Sequence, residues 1–149
     1  MQEKETLYNF CVSYINERLV RIQKNIAGIQ ESLTSETKSS AGDKHETGRA
    51  MLQLEREKLG NQLAEAEKTK QLLAKVPIEN TNVIVGLGSY VQTSKSNYFI
   101  AISAGQFKDK TLKAYCISPN TPIGKLLLGK SVSDVVEFNG EQIKILEIV

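Results

Sequence analysis

The chain has 149 residues, 40% of them hydrophobic and 24% charged, with a formal net charge of +2. That composition belongs to one ordinary folded domain or two small ones and excludes a disordered, collagenous or disulfide-dense chain. It also excludes the strong basic excess of a protein that wraps duplex DNA: residues 1–76 hold 12 Lys/Arg against 11 Asp/Glu, and residues 77–149 hold 7 against 6.

No apolar run approaches the roughly 20 residues of a membrane span, and the start, Met1-Gln2-Glu3-Lys4-Glu5, is charged rather than signal-like. Cytoplasmic residence with no membrane partner is the expectation. The two cysteines, Cys11 and Cys116, lie at a separation that matches no metal or redox spacing, so buried free thiols in a reducing compartment are expected. A single histidine excludes a multi-histidine metal site, and no glycine-rich phosphate loop or Cys/His nucleophile motif is present. No cofactor of the chain's own is expected.

The first half carries a heptad. Tyr8, Val12, Ile15, Leu19, Ile22, Ile26, Ile29 and Leu33 alternate spacings of four and three with polar residues between, which predicts a helix over about residues 5–33. The pattern stops in the Ser-, Thr-, Gly- and Lys-rich stretch between Ser32 and Gly48. It resumes at Leu52, Leu59, Leu63, Ala66 and Leu73, with Arg56 and Lys70 on two seam positions, predicting a second helix over about residues 46–75. Pro77 closes it and biases Val76 toward extended geometry. Two such helices on a short polar link pack antiparallel as a hairpin domain, residues 1–76, in a monomer; an oligomerising coiled coil is the alternative on period alone. Gly28 and Gly60 each cost roughly 1 kcal/mol in a helix interior and are expected to be tolerated through tertiary packing.

The second half, residues 77–149, changes period. Residues 82–87, 89–93, 98–103, 113–117, 135–138 and 143–148 are rich in β-branched and aromatic types and read as strands. Turn signals separate them at Gly86/Gly88, 94–97, 104–110 and Asn139-Gly140. Thr121-Pro122, the apolar run to Leu128, and Gly129 read as one short helix with cap, first-turn proline and terminal glycine. The expected class is α+β: a small curved antiparallel sheet with one helix, following the hairpin.

The stretch from Ile117 to Ile148 resembles the C-terminal signature of the bacterial GreA/GreB transcript-cleavage factors. The family has a Ser-Pro-x-[Ser/Thr]-Pro-[Ile/Leu] stretch leading into a short helix, then Gly-Lys-x-x-x-Asp-x-Val and a terminal hairpin. Here those positions are Ser118, Pro119, Thr121, Pro122, Ile123, Gly129, Lys130, Asp134 and Val136. The resemblance covers the layout as well, because Gre factors join an N-terminal antiparallel coiled coil to a C-terminal domain of FK506-binding-protein-like fold. It implies a partner, RNA polymerase, docked through Ser118, Pro119, Thr121, Pro122 and Ile123. It further implies a nascent RNA 3′ end met in the complex.

At its hairpin tip the family carries Gly-Asp-Leu-Arg-Glu-Asn, and this chain has Gly42-Asp43-Lys44-His45-Glu46-Thr47. Asp43 and Glu46 therefore match the family's catalytic pair, which the resemblance implies would share a Mg²⁺ ion only in complex with the polymerase. Hydrolysis of a backtracked transcript follows two-metal logic, and Mg²⁺ accepts one or two carboxylates while keeping its waters. Acids three apart on a first helical turn share a face. The same spacing is also a capping box, a role that local sequence favours and that is compatible with the other. Lys38, Lys44, His45 and Arg49 are either phosphate contacts or a solvated charge cluster. After Glu46 the family's Asn-Ala-Glu-Tyr is replaced by Thr47-Gly48-Arg49-Ala50. Two further readings stay open: a Gre-like regulator that occupies the polymerase secondary channel without donating metal ligands, and a peptidyl-prolyl isomerase, which the fold's relatives allow.

Overall fold

A computed structural model describes residues 2–38 and 43–149, and the backbone alone for 36–38 and 43–45. Helix α1 spans Gln2–Lys38 and helix α2 spans Asp43–Ala74. They form the expected hairpin, and both outrun the heptad. The stretch after Leu33 was read as link because its apolar positions end, yet it contains neither Gly nor Pro before Lys38. A hydroxyl there can bond back within the helix, as the Thr34 Oγ1–H does to Gln30 O at 3.0 Å. At 37 and 32 residues the helices rise about 55 and 48 Å at 1.5 Å per residue.

By packing, the chain divides into two compact units. One is Ile15–Lys70, which holds α1 from Ile15 onward and α2 as far as Lys70. Ile15, Leu19, Ile22, Leu59 and Ala66 are buried there, each on the seam its period predicts, while Lys70 on that seam is exposed. Across the seam an Arg49 guanidinium N–H reaches Leu33 O at 3.4 Å, which fixes the antiparallel register near the helix junction.

The other unit comprises Met1–Tyr14 and Gln71–Val149. Its strands are β1 (Tyr90–Thr93), β2 (Asn97–Ile100), β3 (Gly105–Lys108), β4 (Lys113–Ile117), β5 (Val135–Phe138) and β6 (Glu141–Ile148), with helix α3 (Pro122–Leu127) between β4 and β5. They form one sheet in the order β3-β4-β2-β1-β6-β5. Every pairing is antiparallel except β2 with β4, which is parallel. The chain leaves β2, passes to the sheet edge as β3, and returns as β4 beside β2.

Two strand expectations are corrected. Residues 82–87 form no strand; only the isolated bridge Ile84↔Ser131 remains there. Residues 104–110, read as a turn, contain edge strand β3. A run with one large apolar residue gives little period-2 signal. It is held by its ladder to β4 and by the Phe107 ring, edge-on to Phe10 of α1 at 5.4 Å.

Register assigns the two faces of the sheet. Tyr90, Phe99 and Cys116 are in line, with Ala114 and Phe107 paired on the same side. The first turns of α1 meet this face through Phe10, whose ring packs on Phe107. This explains why Leu7 and Cys11, off the predicted seam, are buried while Tyr8 and Val12, on it, are half-exposed. Tyr8 instead sends its hydroxyl to Leu73 O at 3.0 Å, a carbonyl in the last turn of α2 that also accepts from Val76 N–H at 3.0 Å. The opposite face carries a core of Val91, Tyr98, Ile100, Ile143, Ile145 and Ile148, closed by Ile123 and Leu127 of α3 and by Val136. The β5–β6 hairpin turns on Asn139-Gly140, both at positive φ, as that dipeptide requires.

Candidate functional site

Asp43 and Glu46 are the first and fourth residues of α2. Glu46 is exposed, and the side chains of Asp43, Lys44 and His45 lie outside the described residues, as does that of Lys38. Near a helix start the unpaired backbone N–H groups and the macrodipole favour anions, so a carboxylate is stable there whichever role it serves. Arg49 is half-buried and directed at Leu33 O. The arginine that stands where the resembling family has an acid thus braces the two helices. Among the described residues no three His, Cys, Asp or Glu side chains gather into a metal-binding group. An exposed carboxylate such as Glu46 fits the hard-oxygen preference of Mg²⁺ as one ligand of a set completed elsewhere.

The second candidate cluster surrounds α3. Thr121 is its N-cap: its Oγ1 accepts from Gly124 N–H at 3.1 Å and its hydroxyl donates to Ser118 O at 2.8 Å. Ser118 Oγ accepts from Asn120 N–H at 3.0 Å, so the Ser-Pro-x-Thr-Pro stretch is a self-bonded loop aimed into a helix. Pro122 opens that helix and Gly129 follows its end at φ 81. Asp134 Oδ2 accepts from Ser131 N–H at 2.7 Å, tying the next turn. Of the five residues expected to touch a partner, Ile123 is core and Thr121 is committed to the cap. Ser118 and Pro119 are half-buried, and Pro122 is exposed.

Beside them stand apolar residues that the sequence reads as part of a strand (83–84), of the short helix (126–128) or of the turn after it (132). Leu126, Leu128, Val132, Val83 and Ile84 are all exposed, Val83 to 82%. The bridge Ile84↔Ser131 and the bonds Val85 N–H to Lys130 O and Gly129 N–H to Val85 O bring the backbone of these two segments side by side. Gly124 was missed: a Cβ there would lie 2.5 Å from Ser118 O and 2.8 Å from Thr121 Oγ1. The signal in sequence was a glycine three residues after a helix cap.

Among the described residues no helix is long and apolar enough to cross a membrane. No family model matches the chain, and no curated protein does. Among solved structures it is similar to GreA factor homolog 1 (Gfh1) of Thermus thermophilus, at 20% identity and a TM-score of 0.39 over 93% of this chain and 94% of that one. A further structure of the transcription factor Gfh1 is similar at 19% identity and a TM-score of 0.38, covering 92% of each chain.

Proposed function

We propose that the chain is a Gre-type factor of bacterial RNA polymerase, which inserts its helical hairpin into the secondary channel and stimulates the polymerase's own cleavage of backtracked RNA. The observation that carries this reading is the position of Asp43 and the exposed Glu46 on the first turn of α2, where two helices of 37 and 32 residues join. In this role Asp43 and Glu46 present anionic oxygens to the polymerase active site, where a divalent ion supplies the polarisation and water activation that hydrolysis needs. The hairpin holds them at the required depth, and the chain acts as a monomer with no turnover of its own. The apolar surface beside Pro122 and α3 provides the docking face, with Thr121, Ser118 and Gly124 shaping it from behind and Ile123 anchoring it to the core.

A second reading has its own support. Arg49 stands where the resembling family has an acid and is bound across the hairpin, so the tip region carries a cation in place of an anion. A regulator that fills the channel without donating ligands fits that substitution. Adding the protein to a backtracked elongation complex with labelled RNA separates the two. Shortening of the transcript from its 3′ end supports cleavage stimulation. An intact transcript with slowed initiation or elongation supports the regulator, and absence of any binding to polymerase rejects both.

A further inference from the structure

Positive charge gathers at one edge of the sheet. Between Ser94 and Tyr115 stand four lysines and one acid, in a chain whose net charge is only +2. Register puts Lys108 of edge strand β3 directly opposite Lys113 of β4, with Gln106 opposite Tyr115 on the same side. Like charges that face each other across an antiparallel pair are destabilising. Among the described residues no carboxylate forms an ion pair with Lys95, Lys108 or Lys113. Asp109, the acid beside them in sequence, accepts at Oδ1 from Thr111 N–H and Leu112 N–H at 2.8 and 2.7 Å.

Beside this pair opens a cavity of about 120 Å³, lined by Lys95, Ser96, Asn97, Lys113, Ala114 and Tyr115. Its walls are held by bonds that leave the lysine ammonium groups uncommitted. The buried Thr93 Oγ1 accepts from Lys95 N–H at 3.2 Å and Ser96 N–H at 3.1 Å, and its hydroxyl donates to Ser96 O. Ser94 N–H bonds to Lys144 O at 2.9 Å, and Ser94 Oγ accepts from Lys144 N–H at 3.0 Å. The turn that carries Lys95 and Ser96 is thus tied to strands on both sides. Across the cavity, Asn97 Nδ2 donates to Lys113 O at 3.2 Å, and the Tyr115 ring stacks on Tyr98 with centroids 6.0 Å apart.

We propose that this cavity binds phosphate, and that it takes linked phosphates, either the diphosphate group of a nucleotide or successive phosphates of single-stranded RNA. The lining offers cations, hydroxyls and an amide and contains no acid, the donor set that phosphate oxygens require. Each lysine is a point charge with three rotatable donors, so Lys95 and Lys113 can meet one phosphate from two sides. A water needs roughly 10–15 Å³ of such space, so the cavity admits several, and a phosphate group in their place. Lys108 lies outside the lining but opposite Lys113. A second phosphate linked to the first therefore falls to Lys108 and relieves the repulsion between the paired lysines. The walls are already fixed, so binding costs little ordering of the backbone.

The test uses the full chain without polymerase. It is titrated with inorganic phosphate, pyrophosphate and a short oligouridylate while backbone amide NMR shifts are followed. The expected shifts centre on residues 95–97 and 113–115, and pyrophosphate binds at least about tenfold more tightly than inorganic phosphate, with affinity falling as salt is raised. Lys95→Gln and Lys113→Gln each weaken pyrophosphate binding by about fivefold. Lys108→Gln does the same for pyrophosphate and leaves inorganic phosphate unaffected. Lys58→Gln, which removes the same charge from an exposed position on α2, changes none of the affinities. An oligouridylate that binds more tightly than pyrophosphate identifies RNA as the source of the phosphates, and the reverse order identifies a nucleotide. Shifts spread over every lysine-bearing surface, equal affinity for phosphate and pyrophosphate, or a loss in Lys58→Gln as large as in Lys113→Gln overturns the proposal.

Discussion

Gly124 sits so close to Ser118 O and Thr121 Oγ1 that any side chain must displace the loop that caps α3. Gly124→Ala is expected to destabilise the protein by about 1–3 kcal/mol, the cost of forcing a methyl into a packed site. Thr121→Ala, which removes the cap alone, should cost about 1 kcal/mol. Urea unfolding midpoints check the ranking, and an equal or smaller loss for Gly124→Ala contradicts the close approach. Lys4 makes a different kind of statement. It is 0% exposed, and its ammonium donates to Asn80 O at 2.8 Å. Burial holds its pKa below the ordinary lysine value of 10.5. Between the lowered folded value and 10.5 the unfolded chain binds more protons than the native one, so this group makes stability rise with pH across that window and contributes no pH dependence below it. Unfolding free energies measured from neutral pH upward should show this rise in the wild type and lose it in Lys4→Met.

Helices and strands differ in how openly the sequence displays them. The heptad identified both long helices and the seam residues Ile15, Leu19, Ile22, Leu59 and Ala66, because burial on one stripe imposes its period over many turns. It did not identify where α1 turns its other side to the sheet. Leu7 and Cys11 are buried beside Phe10, which packs on Phe107 of the second half, and no local period encodes such a partner. Strand β3 was hidden for a similar reason, since Gly105, Gln106 and Lys108 are unremarkable until Phe107 finds Phe10. At Gly28, in the interior of α1, a Cβ would meet nothing within 4 Å, so no close approach requires the glycine. Gly28→Ala should therefore stabilise the hairpin by about 1 kcal/mol, the difference in helix propensity. A lower urea midpoint for the variant would show that this glycine serves a purpose the helix geometry does not reveal.

On the scale of the molecule, the candidate acids Asp43 and Glu46 and the candidate docking stretch at Ser118–Ile123 come from the resemblance of their motifs to the Gre family. What the motif does not reveal is that Ser118 and Thr121 are bonded within the loop that caps α3 and Ile123 is core, while Pro122, Leu126 and Leu128 are exposed. Function then turns on one pair of substitutions. Asp43→Asn with Glu46→Gln keeps the shape of both side chains and part of their capping capacity while removing both anionic oxygens. Neither residue belongs to the apolar surface at α3, so the double variant should bind polymerase as the wild type does. If the acids complete a metal's ligand set, losing them removes about 3–4 kcal/mol of stabilisation from the developing charge, or about 10²–10³ in cleavage rate. Replacing Leu126 and Leu128 by Ser should do the reverse, weakening binding by more than about tenfold while leaving cleavage at saturating protein intact. The two variants separate the roles because each alters one quantity and spares the other. Stimulated cleavage that survives the loss of both acids would remove Asp43 and Glu46 from the chemistry and leave a channel-filling hairpin braced by Arg49.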